Sequence, residues 1–281
     1  MIHRQFSILL MLHEFLTSLT TPCPTHLRAL GYLYEAIALR GRYRRNRAAW
    51  QPHLDNSRRF VLAAAERCSD KGNIVILGSG LLLDVPLAEL SALFREVVLM
   101  DVICLPEVRR QIRKYDNVHF VKHDATNIAE RLYWNGQERI SELPEPAPDT
   151  SVIDQNSGLV VSLNILSQLW VVPRAYAANH LRALTEDQVE EWCGRLVASH
   201  YDYLRSLPCD VCLVADHEFV KRDQAGQVIS RDSTVYGLEL PKPDDSWIWN
   251  IGPIGKDSRF MSKELIVGAW YFQGRNEVRR L

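Results

Sequence analysis

The chain has 281 residues, 47% of them hydrophobic and 24% charged, with a formal net charge of −1. This is the composition of a folded globular protein, long enough for one large domain with an added segment or for two modest ones. It excludes a molecule that is basic overall and holds nucleic acid across its whole surface. Six scattered cysteines make no disulfide framework in a chain this size, and a reducing, cytoplasmic setting is the expectation.

The first 70 residues carry ten arginines against five acidic residues, so the rest of the chain is acidic. An amphipathic helix is predicted near the start, with Phe6, Leu9, Leu10, Leu12, Phe15, Leu16 and Leu19 broadly on one side. No stretch approaches the ~20 apolar residues of a membrane span. A second helix follows the Pro-Thr start signals of TPCPTHLRAL, and a third is predicted from DNSRRFVLAAAERC, capped by Asp55 or Asn56. Arg40, Arg44 and Arg47 fall on one helical face, with Arg58 and Arg59 soon after. A solvated face is the expectation, since the chain shows no RNA-binding aromatic motif.

From residue 73 the pattern alternates. NIVILG reads as a strand and PLAELSALF as a helix; EVVLMD as a strand and LPEVRRQIRKY as a helix; VHFVKHD as a third strand. Residues 135–158 are polar and proline-rich and read as a loop. GLVVSLNILSQL is a fourth strand running into a turn. The helix TEDQVEEWCGRLVASHYDYLRSL opens with Thr185 and Gln188 in a capping-box spacing, and CDVCLVADHEF is a fifth strand. Short apolar strands separated by helices imply a parallel sheet covered on both faces. The tail runs SWIWNIGPIG and KELIVGAWYF are joined by a connection too short for a crossover helix, so they are expected to pair antiparallel. Cys209 and Cys212, three apart on a strand, point to opposite faces and read as structural.

The first strand ends in Gly78-Ser79-Gly80, followed by Asp84 and Pro86 at the entry to the next helix. Glycines there allow close approach of a ligand to the backbone, and Asp84 is expected to cap the helix. The third glycine of a G-x-G-x-x-G pattern would fall at Leu83 and is missing. Asp101 ends the second strand twenty-one residues after Gly80, where an acid can hold a ribose diol, and is expected at an exposed strand end. Asp124 ends the third strand, where a carboxylate can accept from an adenine amino group.

This combination of glycine turn, acids after strands two and three, and reversed terminal strands resembles the class I S-adenosylmethionine-dependent methyltransferases over about residues 71–281. The resemblance implies a Rossmann-like doubly wound α/β sheet with an antiparallel C-terminal hairpin, preceded by a helical cap or lid over residues 1–70. It implies S-adenosylmethionine as cofactor, with Gly78, Ser79 and Gly80 against its methionine part, Asp101 on the ribose and Asp124 on the adenine. Asn164 and Gln168, after strand four, would line the methyl-transfer site. His123, His200 and His217 are the candidate general bases. Asp216, His217 and Glu218 sit at the carboxyl end of strand five, and no metal site is expected from them, because neighbours on a strand alternate direction. The sequence departs from the family at Ile76, where its glycine motif usually opens with an acid, and at Leu82, where a third small residue would stand. Those departures keep open a non-catalytic interaction protein on the same fold. A nicotinamide-dependent oxidoreductase is the more distant alternative. The acceptor is open, a small molecule or protein being favoured over RNA.

Overall fold

The computed structural model describes residues 16–149, 153, 156–256 and 258–274. Most of the amphipathic segment expected at the start lies outside the described residues; its last part, residues 16–20, is helical. Two further helices precede the sheet, α1 (Thr25–Leu30) and α2 (Tyr32–Arg67). Strand β1 (Asn73–Leu77) leads through the glycine turn to α3 (Leu87–Leu93), and β2 (Glu96–Asp101) to α4 (Pro106–Ile112). Next come β3 (Val118–Lys122), α5 (Ala129–Glu138), β4 (Ser157–Leu163), α6 (Val171–His180) and α7 (Glu186–Ser206). The chain then forms β5 (Asp210–Asp223), β6 (Val228–Ser233), β7 (Asp245–Gly252) and β8 (Met261–Phe272).

The strands form one sheet in the order β3-β2-β1-β4-β5-β8-β7, with β6 paired to β5 off that path. The first five strands are parallel, and β8 and β7 add antiparallel at one edge, as the short tail connection requires. The fold is therefore a Rossmann-like doubly wound sheet, with a reversed last strand inserted beside β5. Strand β4 pairs with only the first part of β5; beyond it, β6 pairs with residues 218–222 of the same strand.

Both faces of the sheet are covered. Ile74 and Ile76 belong to a core shared with Leu54 and Val61 of α2, whereas Val75 and Leu77 share the opposite core with Tyr203 and Leu204 of α7. This alternation is the period of a strand buried on both sides. Helix α7 begins with the expected capping box: the Thr185 hydroxyl accepts from the Gln188 N–H, and the Gln188 side chain accepts from the Thr185 N–H.

Several expectations are corrected. No new helix starts at Asp55 or Asn56. Helix α2 runs on from Tyr32 to Arg67 through Pro52, departing from helical geometry only at Asn46 (φ −110°, ψ 15°). Asp55 instead accepts from Gln51 and Arg58, a turn to either side. The loop expected at 135–158 begins inside α5, and α6 follows β4 where only a turn was expected. Arg40 is not on a solvated face. It is buried, donating to Glu107 Oε1 (3.0 Å) and Thr17 Oγ1 (3.1 Å). Arg44 and Arg47 are exposed as expected. Cys212 is buried in the core, and among the described residues no helix is long and apolar enough to cross a membrane.

Helix α2 is fastened to the far edge of the sheet by aromatic groups. The Trp50 indole donates to the Ile251 carbonyl (3.0 Å) and meets Trp249 edge-on at 5.0 Å. Trp50 is fully buried. Trp50→Ala should therefore cost about 3–5 kcal/mol of stability, as for other buried tryptophans. Equilibrium denaturation checks this, and a change below about 1 kcal/mol would show that α2 is not held by this contact.

Candidate functional site

The carboxyl ends of parallel strands, where the order turns back on itself, leave a crevice in any doubly wound sheet. Here β1 is flanked by β2 on one side and β4 on the other, and a cavity of about 250 Å³ opens above their ends. Its wall follows the strand order: Asp124 and His123 beyond β3, Asp101 at the end of β2, Gly78 and Gly80 after β1, and Asn164 after β4. Helix α2 closes the cavity from above with Tyr32, Trp50 and His53, and Trp249 of β7 completes that side.

The two glycines have different reasons to be glycine. At Gly78 (φ +81°) an added Cβ would lie 1.8 Å from Ile165 Cγ2 and 2.9 Å from the Leu163 carbonyl oxygen. That position is closed by the packing of the β4 turn. At Gly80 (φ +47°) an added Cβ would meet only the Gly78 carbonyl oxygen, at 3.9 Å. The space in front of Gly80 is the cavity itself. Ser79, between them, is wholly buried and does not line the cavity. Leu82, where a third small residue was expected, keeps the left-handed backbone (φ +58°) that a glycine would adopt freely, with its side chain buried.

Asp101 joins the ends of β1 and β2. Its Oδ2 accepts from the Gly80 N–H (2.8 Å) and its Oδ1 from the Ile103 N–H (3.4 Å). It is half-buried rather than at an exposed strand end, and burial raises its pKa above the usual carboxylate value. Asp124 lines the cavity, but its carboxylate is already engaged. Oδ1 accepts from the Thr126 N–H and hydroxyl (3.0 and 2.7 Å), and Oδ2 from the N–H groups of Ile128 and Ala129 (2.9 and 2.8 Å). These bonds satisfy donors that open α5 and leave little acceptor capacity for an adenine amino group.

The three candidate histidines separate. Only His123 lines the cavity, with its pKa lowered by burial. His200 is buried off the cavity wall, with Nε2 3.0 Å from Ser162 Oγ, and burial lowers its pKa to about 4. His217 sits at the irregularity of β5 between Asp216 and Glu218, off the cavity. Neither His200 nor His217 lines the cavity. Asp216 is buried and accepts from Ser167 Oγ (2.7 Å), and Glu218 pairs with Arg231 across the β5–β6 ladder. Gln168 is exposed at the cavity rim.

His53 is the site residue that sequence reasoning missed. Its ring stacks on Trp249 (4.0 Å between centroids, 4° between planes). Its Nδ1 accepts from the Trp247 indole N–H (3.0 Å), since an indole nitrogen can only donate. The imidazole is thus the neutral tautomer with its proton on Nε2, and burial lowers its pKa to about 3. Nε2 lies 3.4 Å from the amide nitrogen of Asn164, which donates to Asp84 Oδ2 (2.7 Å). Asp84 is therefore not a helix cap. Pro86 occupies the cap position of α3, no side chain caps that helix, and Asp84 turns into the cavity, where burial raises its pKa. Asn164 holds a left-handed backbone (φ +53°), which asparagine tolerates. A histidine in an arginine-rich helix gave no sign of this role; the two tryptophans of SWIWN, 194 residues on, were the only hint.

No protein-family model matches the chain, and no curated protein matches it. Solved structures do. A "DhpI-SAM-HEP complex" is 14% identical, aligned over 87% of this chain and 99% of its own, with a TM-score of 0.38. The Burkholderia thailandensis 1,6-didemethyltoxoflavin-N1-methyltransferase, with bound 1,6-didemethyltoxoflavin and S-adenosylhomocysteine, is 12% identical over 89% of this chain and 91% of its own, at 0.40. The precorrin-6y C5,15-methyltransferase of Geobacter metallireducens GS-15 is 12% identical over 76% and 86%, at 0.29.

Two outcomes follow from this geometry. Gly78→Ala should cost about 3 kcal/mol or more, from clash and left-handed strain together, while Gly80→Ala should cost only about 1–2 kcal/mol of strain. Thermal and chemical denaturation of the pair checks the contrast; equal losses would contradict the assignment of the open side. The second concerns pH. His53 and His200 have folded pKa values below the ordinary 6.5. Their contribution to stability is full above that value and is lost as the pH falls toward about 4 and about 3. Lowering the pH from 7 to 5 should remove about 2 kcal/mol for each buried imidazole. Denaturation midpoints at the two pH values measure it. His200→Gln should flatten the dependence by about half, and an unchanged slope would refute the burial argument.

Proposed function

We propose that the chain is an S-adenosylmethionine-dependent methyltransferase, with residues 1–70 as a helical cap over a Rossmann-like domain of residues 71–281. The observation that carries this reading is the Gly80–Asp101 junction at the cavity. A backbone with open space in front of it is hydrogen-bonded to a carboxylate at the end of the neighbouring strand. A carboxylate offers about four acceptor positions, so Asp101 keeps acceptor capacity beyond its backbone bonds. A ribose diol is the group such a carboxylate holds best.

The charge of the cavity agrees. Glu35, Asp84, Asp101 and Asp124 line it, while Arg42 is paired with Glu35 (3.2 Å). An acidic, mostly apolar cavity suits a ligand that is flat, partly apolar and cationic. When bound, the sulfonium supplies a methyl group that an acceptor lone pair takes as the carbon–sulfur bond breaks toward sulfur. The chain's own contribution is alignment and exclusion of water, which α2 and Trp249 provide by closing the cavity. A base is needed only for an acceptor protonated at neutral pH. His123 stands in the cavity for that task; His53 does not, because the Trp247 indole occupies its Nδ1 and Nε2 already bears a proton.

The alternative is an interaction protein on the same fold, and Ile76 is the observation in its favour. The position where the resembled family places an acid is here an apolar side chain wholly buried in the core. Calorimetric titration with S-adenosylmethionine and S-adenosylhomocysteine separates the two readings. The folded protein should bind both, and Asp101→Ala should weaken binding about ten- to a hundredfold. Because Asp101 also holds two backbone N–H groups, the same variant should lose about 1–3 kcal/mol of stability, and Asp101→Asn less. Folded wild-type protein that gives no heat at millimolar ligand would leave the interaction reading standing instead.

A further inference from the structure

Helix α2 runs from Tyr32 to Arg67, but its two halves are held by different parts of the molecule. From Trp50 onward it belongs to the sheet. The Trp50 indole is bonded to the Ile251 carbonyl, the His53 ring stacks on Trp249, and Val61, Ala64 and Ala65 are buried in the core shared with β1. Before Asn46 it belongs to the cavity. Tyr32, Glu35, Ala36, Leu39 and Arg42 recur at helical spacing, and all of them line it. Asn46 marks the join. Its backbone leaves helical geometry (φ −110°, ψ 15°) and the residue is only 2% exposed. Neither atom of its side-chain amide has a hydrogen-bond partner among the described residues. A buried amide without partners is costly, and an arrangement that lets water reach it recovers that cost.

We propose that Asn46 is a hinge, about which residues 16–45 move as a unit against a second half of α2 that stays with the sheet. Arg40 is the latch that holds the unit down. Its buried guanidinium donates to Glu107 Oε1 (3.0 Å), on the first turn of α4, and to Thr17 Oγ1 (3.1 Å). Glu107 closely follows Asp101, Val102, Ile103 and Leu105, which line the cavity. The latch therefore joins the moving unit to the loop that begins with the β2 carboxylate, and an occupant of the cavity meets both sides of it. The moving part of the cap ends at Asn46 and not at residue 70. This inference goes beyond the methyltransferase reading and holds for any ligand of the cavity.

Two features set the balance with opposite signs. The Arg40–Glu107 pair favours the closed arrangement, because without the carboxylate a buried guanidinium keeps only the Thr17 hydroxyl. The Asn46 amide favours release. Leu33 and Ile37, on the moving half, are buried in the main core as well, so release is a rare event and not a second resting structure. Hydrogen exchange counts such rare openings segment by segment.

The test is amide hydrogen exchange on the intact chain without ligand. Residues 32–45 should exchange about tenfold or more faster than residues 50–67. Glu107→Gln should speed exchange in residues 32–45 about ten- to a hundredfold and leave residues 50–67 within about threefold. Asn46→Leu, which fills the same space without an amide, should slow exchange in residues 32–45 about tenfold. Equal exchange in the two halves, equal acceleration of both by Glu107→Gln, or faster exchange in Asn46→Leu would overturn the hinge. A second arm adds S-adenosylhomocysteine. The protection it brings to α2 should be confined to residues before Asn46, and protection spread evenly along the helix would also count against the proposal. The first arm uses no ligand, so a chain that does not bind S-adenosylhomocysteine sinks the cofactor reading alone, and the unliganded exchange still decides the hinge.

Discussion

The hydrogen bond from the Gly80 N–H to Asp101 is the constraint on which the site depends. It ties the turn after β1 to the end of β2. It also uses only one acceptor position on that oxygen, which leaves the carboxylate able to hold a ligand as well as the turn. The main chain before Gly80 is anchored separately, by Gly78 and Ser79 N–H groups donating to the Met100 carbonyl (3.0 and 3.2 Å). Three bonds from one turn to one strand end give the cavity a rigid floor at its middle. What lies on either side is then set by strand order alone.

Above that floor the chain uses aromatic contacts. Trp50, His53, Trp247 and Trp249 form a packed group in which the Trp50 indole donates to Ile251 and the Trp247 indole to His53, while the Trp249 indole nitrogen is buried without a partner. Stacked and edge-on rings of this kind add about 0.5–1.5 kcal/mol per pair beyond their buried area. The group holds His53 neutral by desolvation and by the indole bond, so the side chain does not exchange protons near neutral pH.

Much of the fold was legible because its signals are local. EVVLMD is bounded by Glu96 and Asp101 and forms a strand over those same residues. Thr185 and Gln188 mark the start of α7 through a spacing that needs no tertiary context. The missed helices lack such marks. The start of α5 is organised by Asp124, whose carboxylate was read as facing a ligand, and α6 carries Pro173 in its first turn directly after a strand and a 3₁₀ turn. Within the site, Gly78, Gly80 and Asp101 were legible because spacing along β1 and β2 fixes their neighbourhood. His53 and Asp84 were not. Their role comes from packing between residues that are far apart in the sequence, and Asp84 before Val85-Pro86 has the local form of a helix cap.

The aromatic wall has a consequence for the order of assembly. Trp50 bonds to a carbonyl 201 residues later, and His53 to an indole 194 residues later. Closing loops of that length is entropically slow, and contacts of such separation form late. A ribosome that has delivered α2 must make nearly all the remaining chain before β7 exists to receive it. Until then the apolar side of a 36-residue helix has no β7 to cover it.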